Sequence, residues 1–310
     1  PPDSSNAQQP SGQSEDFPTD TITLIVAFSP GGETDTGARI LAPYVEKELG
    51  VALNIVNKSG AGGWVGWAEL VNSKPDGYTI GYVNTPNLIT GYLNPSANRK
   101  ENLDSFAFIA NHVTDAGAIA IRVDEDRFTN INELVEYAKT HEVTSTSTGV
   151  GSDDHVAALK LNRHYGTRFQ AVHGEGAAES VSNVLGGHVD VLFANVGSLT
   201  PLHKNGEIKV VAVMSEERSP FLPDVPTLKE SGYEVYSWSS RGIAAPAGID
   251  PDRLQILRDA FAAAIRNEEH IAKMAEMGLQ VDLKVGDEYE AMLRQEEQGV
   301  AELLDLLGWK

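Results

Sequence analysis

The 310-residue chain contains no cysteine. Disulfide bonds, thiolate catalysis and cysteine-ligated zinc are therefore excluded. No stretch approaches the ~20 consecutive apolar residues that a membrane-spanning helix needs. Hydrophobic residues make up 41% and charged residues 22%. That composition is typical of a soluble globular protein, and the length predicts a substantial core and two domains.

Basic residues are also scarce, since 24 Lys and Arg face 44 Asp and Glu for a formal net charge of −20. Nucleic-acid binding depends on clustered Lys and Arg, so this balance argues against a nucleic-acid partner. The charge repels anions at long range, but salt screens that repulsion beyond roughly 8–10 Å. We therefore interpret the charge first as a determinant of solubility.

The usual catalytic and metal-binding motifs are missing. Gly-x-Ser-x-Gly is absent, and the eight histidines form no His-Glu-x-x-His pattern. The glycines at 60–63 do not keep the dinucleotide-binding spacing. Ser152 and His155 are one helical turn apart, but a catalytic dyad also needs an orienting acid and an oxyanion hole. We expect no enzyme activity, no metal and no cofactor; the alternative is an α/β-fold hydrolase or oxidoreductase acting on a small organic acid.

Residues 1–20 are polar, rich in Pro, Ser and Gln, and lack hydrophobic periodicity. They predict a disordered leader that is not part of the fold. No signal peptide is recognisable, so the leader resembles what remains after targeting residues have been trimmed. A membrane tether and a plain disordered tail both stay open.

The stretch 28–35 organises the first half of the chain. A β-branched run at 22–28 predicts a buried strand, and apolar residues then recur at helical spacing up to position 49. Gly31 and Gly32 allow a tight turn between the two, while Thr34 and Asp35 can cap the helix. Because the first N–H groups of a helix lack intrahelical partners, this turn predicts an anion-binding corner.

The strand–loop–helix pattern runs through two rounds and the chain finishes with helices, which predicts parallel sheets covered by helices. Extended stretches near Ile119 and Arg241 predict two connecting strands between two lobes. We expect an α/β protein with lobe 1 over 21–118 and 243–310, and lobe 2 over 119–242.

Ligands of open α/β sheets bind beyond the carboxyl ends of the strands. Six loops leave those ends, and they contain mainly Gly, Ser, Thr and Asn. Such loops offer hydrogen bonds and helix N-termini but few nucleophiles or bases, so they favour binding over catalysis. The loops span 28–35, 57–63, 84–87, 147–152, 173–176 and 195–198.

Several of these segments also resemble one protein family. The matching segments are Ile25 to Asp35, Asn57 to Gly63, Pro75 to Thr79, Gly149 to Ser152 with His155, Leu185 to Asp190, Leu222 to Thr227 with Glu230 to Gly232, and Ala245 to Gly248. In this order and spacing they resemble the solute-binding proteins of tripartite tricarboxylate transporters, the Bug or TctC-like family. The resemblance spans about residues 22–305.

The resemblance implies a type II, Venus-flytrap periplasmic-binding-protein fold with a two-strand hinge. It implies a monomer that captures a small organic carboxylate between its lobes and delivers it to the membrane permease subunits of the transporter. The protein would then act in the periplasm or on the extracellular face of the cytoplasmic membrane. A lipid anchor on a trimmed N-terminal segment is one form that the tether could take.

The resemblance also implies site residues, which in the family hold a carboxylate by backbone amides, hydroxyl groups and ordered waters. Carried onto this chain and joined by His173 and Glu175 of the loop at 173–176, the candidates are Phe28, Ser29, Gly31, Gly32, Thr34, Asp35, Asn84, Thr85, Thr148, Gly149, Ser152, His155, His173, Glu175 and Asn195.

Two glutamates depart from the family pattern, Glu33 after the glycine pair and Glu175 where the family often has a cation. Glu33 lies in the first turn of a helix, where a negative side chain is favourable, and we expect it to point to solvent. We expect Glu175 to face the ligand and to select a neutral, hydroxylated or amino-bearing group at the far end. The sequence leaves open whether the ligand is a mono-, di- or tricarboxylate, an amino acid or an aromatic acid.

Overall fold

The computed structural model describes residues 16–309, without the side chains of residues 300 and 301. The predicted leader lies mostly outside this range, but its last residues are packed. The ring of Phe17 lies 5.2 Å from that of Tyr78, centroid to centroid, and the Arg253 guanidinium lies 5.0 Å from its centre. The predicted leader is therefore too long at its C-terminal end, because a single aromatic residue without periodicity gives no sequence signal of packing.

Strands and helices alternate along most of the described chain. In order they are β1 (Ile22–Val26), α1 (Glu33–Leu49), β2 (Leu53–Asn57), α2 (Trp64–Asn72), β3 (Thr79–Thr85), α3 (Asn87–Leu93), β4 (Phe106–Arg122), α4 (Ile131–Thr140), β5 (Val143–Ser147), α5 (Asp153–Tyr165), β6 (Phe169–His173), α6 (Ala177–Leu185), β7 (Leu192–Asn195), α7 (Val196–Lys204), β8 (Ile208–Val213), β9 (Trp238–Pro246), α8 (Pro251–Arg266), α9 (Glu268–Glu276), β10 (Val281–Val285), α10 (Asp287–Gln298) and α11 (Val300–Leu306).

The first lobe is built on a sheet with the strand order β10-β4-β9-β3-β1-β2. β1 pairs in parallel with β2 and β3, whereas β9 is antiparallel to both β3 and β4. The apolar stripe of α1, with Ala38, Leu41 and Val45, packs on this sheet together with Phe261 of α8. On the other face, Trp64 and Trp67 of α2 pack with residues of α10.

The second lobe repeats the strand–helix pattern with fewer strands. β5 and β6 are parallel, a bridge joins Ser145 to Val191, and β7 and β8 flank the last part of β4. Its core contains Phe128, Phe169 and Phe193. Helix α5 is capped by Ser152, whose hydroxyl accepts the N–H of His155.

Two strands connect the lobes. Residues 106–116 of β4 pair with β9, and Gly117 to Arg122 pair with β7 and β8. The chain returns through Ser237, whose carbonyl accepts the Gly117 N–H, into β9. The predicted two-lobed α/β fold with a two-strand connection is confirmed.

Strand β4 runs without a break from Phe106 to Arg122. The polar side chains of Asn111, His112 and Asp115 in its middle are buried and paired inside the lobe. His112 Nδ1 lies 2.6 Å from the Tyr82 hydroxyl, and its Nε2 lies 2.9 Å from Nε2 of His270.

The C-terminal helices return to the first lobe and reach the second. The last helical segment is interrupted at Gly299, which separates α10 from α11. From α11, Asp305 accepts a hydrogen bond of 2.8 Å from Arg163 of α5. No helix among residues 16–309 is both long enough and apolar enough to span a membrane.

Candidate functional site

A small cavity lies between the lobes, where the loops that follow the strands meet. Its volume is about 20 Å³, which is room for about one water molecule. Even a small organic acid is several times larger than this space. The lining residues are Phe28, Gly32, Glu33, Thr34, Asn84 and Asn87 from the first lobe, Thr148, Asp153, Ala177 and Asn195 from the second, and Ser239 from β9.

Two helices, one from each lobe, point uncapped N-termini at this cavity. Neither Gly32 at the start of α1 nor Gly176 at the start of α6 provides a side-chain cap. The two starts are close, since a Cβ built on Gly32 would lie 3.7 Å from the backbone nitrogen of Ala177. First-turn N–H groups carry partial positive charge. The cavity therefore favours a negatively charged group at this end.

The lobes are in contact around the cavity. The Thr90 hydroxyl donates to the Gly151 carbonyl at 2.8 Å, and the Ser59 hydroxyl donates to the Glu175 carboxylate at 2.9 Å. The backbones also come close at Gly149, where an added Cβ would lie 2.8 Å from the Cα of Gly62. Gly149 also has a φ of +141°, so glycine is required there both by conformation and by the approach of the other lobe.

A buried arginine lies behind the cavity. Arg241 of β9 is 2% exposed; its Nη2 lies 3.2 Å from Glu33 Oε1, and its Nη1 lies 3.2 Å from Asp115 Oδ2. The second oxygen of Glu33 accepts a hydrogen bond from Ser198 of the other lobe. Glu33 therefore joins the first lobe, the connecting strand and the second lobe.

Further acids lie close to this cluster. Asp153 accepts a 2.7 Å hydrogen bond from Asn195. Burial raises the pKa of Asp153 to about 6 and that of Asp115 to about 7, although Arg241 opposes both shifts. Burial also raises the pKa of Asp154, and the neighbouring Asp153 raises it further. The cluster is therefore richer in carboxyl groups than in cations.

Six of the predicted site residues line the cavity, and Thr34 accepts a hydrogen bond of 2.9 Å from Asn84 within it. The six are Phe28, Gly32, Thr34, Asn84, Thr148 and Asn195.

The other predicted residues lie outside this lining. Asp35 holds the turn together, because it accepts hydrogen bonds from Gly31, Arg39 and Asn57. Burial raises its pKa, but the hydrogen bonds from Arg39, Gly31 and Asn57 outweigh that effect and the net shift is downward. Thr85 is buried in the ladder between β3 and β9.

On the second lobe, Ser152 and His155 form no catalytic dyad. The Ser152 hydroxyl caps α5 and lies 3.0 Å from the hydroxyl of Ser147. The ring Nδ1 of His155 instead accepts the N–H of Gly151 at 3.0 Å, and burial lowers its pKa to about 4. Its ring lies 4.8 Å from that of His173, an exposed residue whose Nδ1 lies 2.9 Å from the Ser147 hydroxyl.

The structure places the two glutamates differently. The expected solvent-facing orientation of Glu33 is wrong, because its side chain is 9% exposed, lines the cavity and pairs with Arg241. Glu175 is exposed outside the lining and contacts Ser59 at the edge of the cleft. Ser29 of the first lobe also lies at this edge, where its backbone N–H donates to the backbone carbonyl of Glu175.

Sequence reasoning missed the charged part of the site. Arg241 entered only as a marker of a connecting strand, although one cation in an otherwise apolar and small-residue run was a usable signal. Asp153 directly follows the cap residue Ser152. Acids are common in the first turn of a helix, so its position gave no reason to place it in the site. Nothing in the sequence around Asp115 marks it. In the described part of the chain, no three His, Asp or Glu residues are grouped as metal ligands.

The fold and this interlobe site define the class of periplasmic binding proteins. The structure superposes on that of the periplasmic binding protein BugD with a TM-score of 0.87 and 29% identity, covering 95% of this chain and 99% of BugD. Residues 38–307 match the model of the tripartite tricarboxylate transporter family receptor, TctC. The chain belongs to that family of solute-binding receptors.

Other relatives extend the comparison. A Cupriavidus necator protein, the "UPF0065 protein in gbd 5'region", is 30% identical over 273 residues, which cover 86% of this chain and 81% of the relative. MatC of Rhodopseudomonas palustris, solved with bound malate, has a TM-score of 0.84 at 24% identity and covers 94% of this chain and 100% of MatC. At that identity the likeness to MatC shows the fold alone.

Proposed function

We propose that the protein is an extracytoplasmic receptor that captures a small organic carboxylate between its lobes and passes it to the permease subunits of a tripartite tricarboxylate-type transporter. The observation that carries this proposal is the meeting of the uncapped N-termini of α1 and α6 at one interlobe cavity. Membership of the family of tripartite tricarboxylate transporter receptors supports it.

The ligand carboxylate is proposed to lie at these two helix starts. There it receives backbone N–H groups of the first turns and hydrogen bonds from the hydroxyls of Thr34 and Thr148, which line the cavity from opposite lobes. A ligand held from both sides stabilises the contact between the lobes. We place Gly149, Ser29 and Glu175 at the edge of the cleft, where they meet the opposite lobe.

Opening and closing are proposed to take place at the two connecting strands. The pairing of β4 changes partners between Ala116 and Gly117, and β9 begins at Trp238. These changes favour lobe boundaries slightly earlier than the 118/119 and 242/243 divisions predicted from the sequence. Arg241 then belongs to the first lobe, where it pairs with Asn84 of β3.

The proposal also covers the oligomeric state, the location and the lack of enzyme activity. We propose a monomer that acts in the periplasm or at the extracellular face of the cytoplasmic membrane, with lipid anchoring through an N-terminal segment as an option. We also propose that it is not an enzyme. The arrangement of Ser152 and His155 supports this, because the ring nitrogen faces the Gly151 N–H and not the serine hydroxyl.

A thermal-shift screen of mono-, di- and tricarboxylates tests the proposed function. An acid present at 100 times its dissociation constant should stabilise the folded protein by about 2.7 kcal/mol. Thr148→Val should weaken that response, since it removes a cavity hydroxyl. Thr140→Val, on the exposed end of α4, is the matched control. No response to any organic acid, together with turnover of one, would overturn the proposal.

A further inference from the structure

The charge of the cavity lining is unusual for a site that receives only anions. Two carboxylates, Glu33 and Asp153, contribute to the lining, and no Lys or Arg does. The nearest cation, Arg241, is already paired with Glu33 and Asp115. A second carboxylate on the ligand would therefore meet two acids and no free cation.

One residue of the cavity lining carries an unpartnered acceptor. Asn84 lines the cavity, is 5% exposed, and donates its Nδ2 to the Thr34 hydroxyl at 2.9 Å. Its Oδ1 is buried and has no hydrogen-bond partner. A buried acceptor without a partner is costly, so a ligand that supplies an N–H or O–H donor is favoured over one that brings further acceptors.

The orientation of Glu33 is not that of an ordinary helix-start acid. Such an acid needs only the positive end of its own helix. Glu33 instead directs one oxygen to Arg241 and the other to Ser198 of the opposite lobe. Arg241 holds the carboxylate towards the cavity from behind, and Asp115 occupies the remaining side of the guanidinium.

We propose that the solute carries a protonated amine as well as a carboxylate, with the amine held by Glu33, Asp153 and the Asn84 carbonyl oxygen. Its carboxylate lies at the starts of α1 and α6. This inference rests on the proposed function and narrows it from organic acids to amine-bearing ones. An N–H donor is required, because Asn84 Oδ1 takes a hydrogen bond and not charge alone; a trimethylated amine is therefore excluded.

Calorimetric titration with length-matched pairs tests the inference. The amine-bearing probes are L-aspartate, L-glutamate and 4-aminobutanoate; their amine-free partners are succinate, glutarate and butanoate. We expect the best amine-bearing acid to bind at least tenfold more tightly than its partner. The trimethylated form of 4-aminobutanoate should bind at least tenfold more weakly than the parent amine.

Variants that remove one negative charge each test which residues cause the preference for amine-bearing acids. Glu33→Gln and Asp153→Asn should each reduce the ratio of the two affinities by about tenfold, whereas Glu142→Gln on the exposed surface should leave it unchanged. The ratio is read within one variant, so a general loss of affinity does not affect it. Melting curves without ligand verify that each variant folds.

The outcomes separate the inference from the proposed function. If amine-free acids bind as tightly as their amine-bearing partners, or if both variants keep the wild-type ratio, the inference is wrong and the carboxylate receptor stands. If 1,4-diaminobutane binds and none of the six acids does, the proposed function itself is overturned.

Discussion

The two glycine-rich turns that meet between the lobes, 28–33 and 173–177, differ in where each carries its glutamate. Both turns connect a strand to an uncapped helix start. Glu33 is the first residue of α1, and its side chain lines the cavity. Glu175 precedes the start of α6 and remains exposed at the cleft edge. The two acids thus differ by two positions relative to the helix start, and only Glu33 lines the cavity.

The largest effect on stability is expected from removing Arg241, the cation that orients Glu33. Arg241→Met leaves Glu33 and Asp115 in a buried site without their partner, so we expect a loss of about 3–5 kcal/mol in the free energy of unfolding. Urea denaturation measures it. Arg218→Met is the control, because its pair with Glu230 is exposed and screened by solvent, so this variant should lose far less stability than Arg241→Met. Equal losses in the two variants would contradict a special role for Arg241.

The pH dependence of stability should reveal the acid behind Glu33. Burial raises the pKa of Asp115 to about 7 from the 3.8 of an exposed aspartate. The folded state therefore holds a proton that the unfolded state releases, and this contribution to stability is lost as the pH rises from about 4 to 7. Asp115→Asn should remove that loss.

Urea denaturation at pH 5 and pH 7 tests the Asp115 prediction. From pH 5 to pH 7, the wild type should lose about 2 kcal/mol more than the variant, given 1.36 kcal/mol per pKa unit. A difference between the two proteins is needed because acids with lowered pKa values, such as Asp35 and Glu125, have the opposite dependence. Parallel pH profiles would show that Asp115 does not titrate in this range.

Closure around the second turn can be disturbed at Gly176. A Cβ at this position would lie 2.5 Å from the Ser29 hydroxyl oxygen of the other lobe. Gly176→Ala should therefore weaken binding of a confirmed acid about tenfold, which corresponds to about 1.4 kcal/mol. Adding Ser29→Ala removes the clashing atom and should restore most of the affinity. A double variant as weak as the single one would mean that the clash is not between the lobes.

The smallest effect is expected at the rim. Glu175→Gln removes the charge from one exposed acceptor of the Ser59 hydroxyl and changes no residue of the cavity lining. In this variant the ratio of the affinities for L-aspartate and succinate should change less than about twofold. In Glu33→Gln the same ratio should change about tenfold, which corresponds to about 1.4 kcal/mol. Titration of both variants provides the comparison, and a Glu175 effect as large as that of Glu33 would restore the sequence-based expectation.

Local patterns account for what could be predicted from the sequence. The strand, glycine turn and helix around 28–35 are encoded within about 28 neighbouring residues, so the turn and its uncapped helix start were predictable. The same holds for Thr148, which directly follows β5, and for Asn195, which is the last residue of β7. Both positions line the cavity because the carboxyl ends of the strands, and the loops that follow them, lie at the same edge of an α/β sheet.

The charged part of the site depends on distant residues. Glu33 and Arg241 are 208 positions apart, and Asp115 and Arg241 are 126 apart. Whether Glu33 points to solvent or inward is decided by that arginine, because the dipole of its own helix favours an acid in either orientation. No local pattern could therefore have placed Glu33 in the cavity.

Closure of the two lobes on a ligand is the central claim, and the absence of cysteine from the chain makes a distance measurement straightforward. Val65 and Val172 are exposed on opposite lobes, 48% and 39%, near the contact of Ser59 with Glu175. Spin labels on Val65→Cys and Val172→Cys report the separation by double electron–electron resonance. With a saturating acid that stabilises the protein, the account predicts a single short distance, and without acid a broader distribution that extends to longer ones. An identical distribution in both samples would contradict closure of the lobes on the solute.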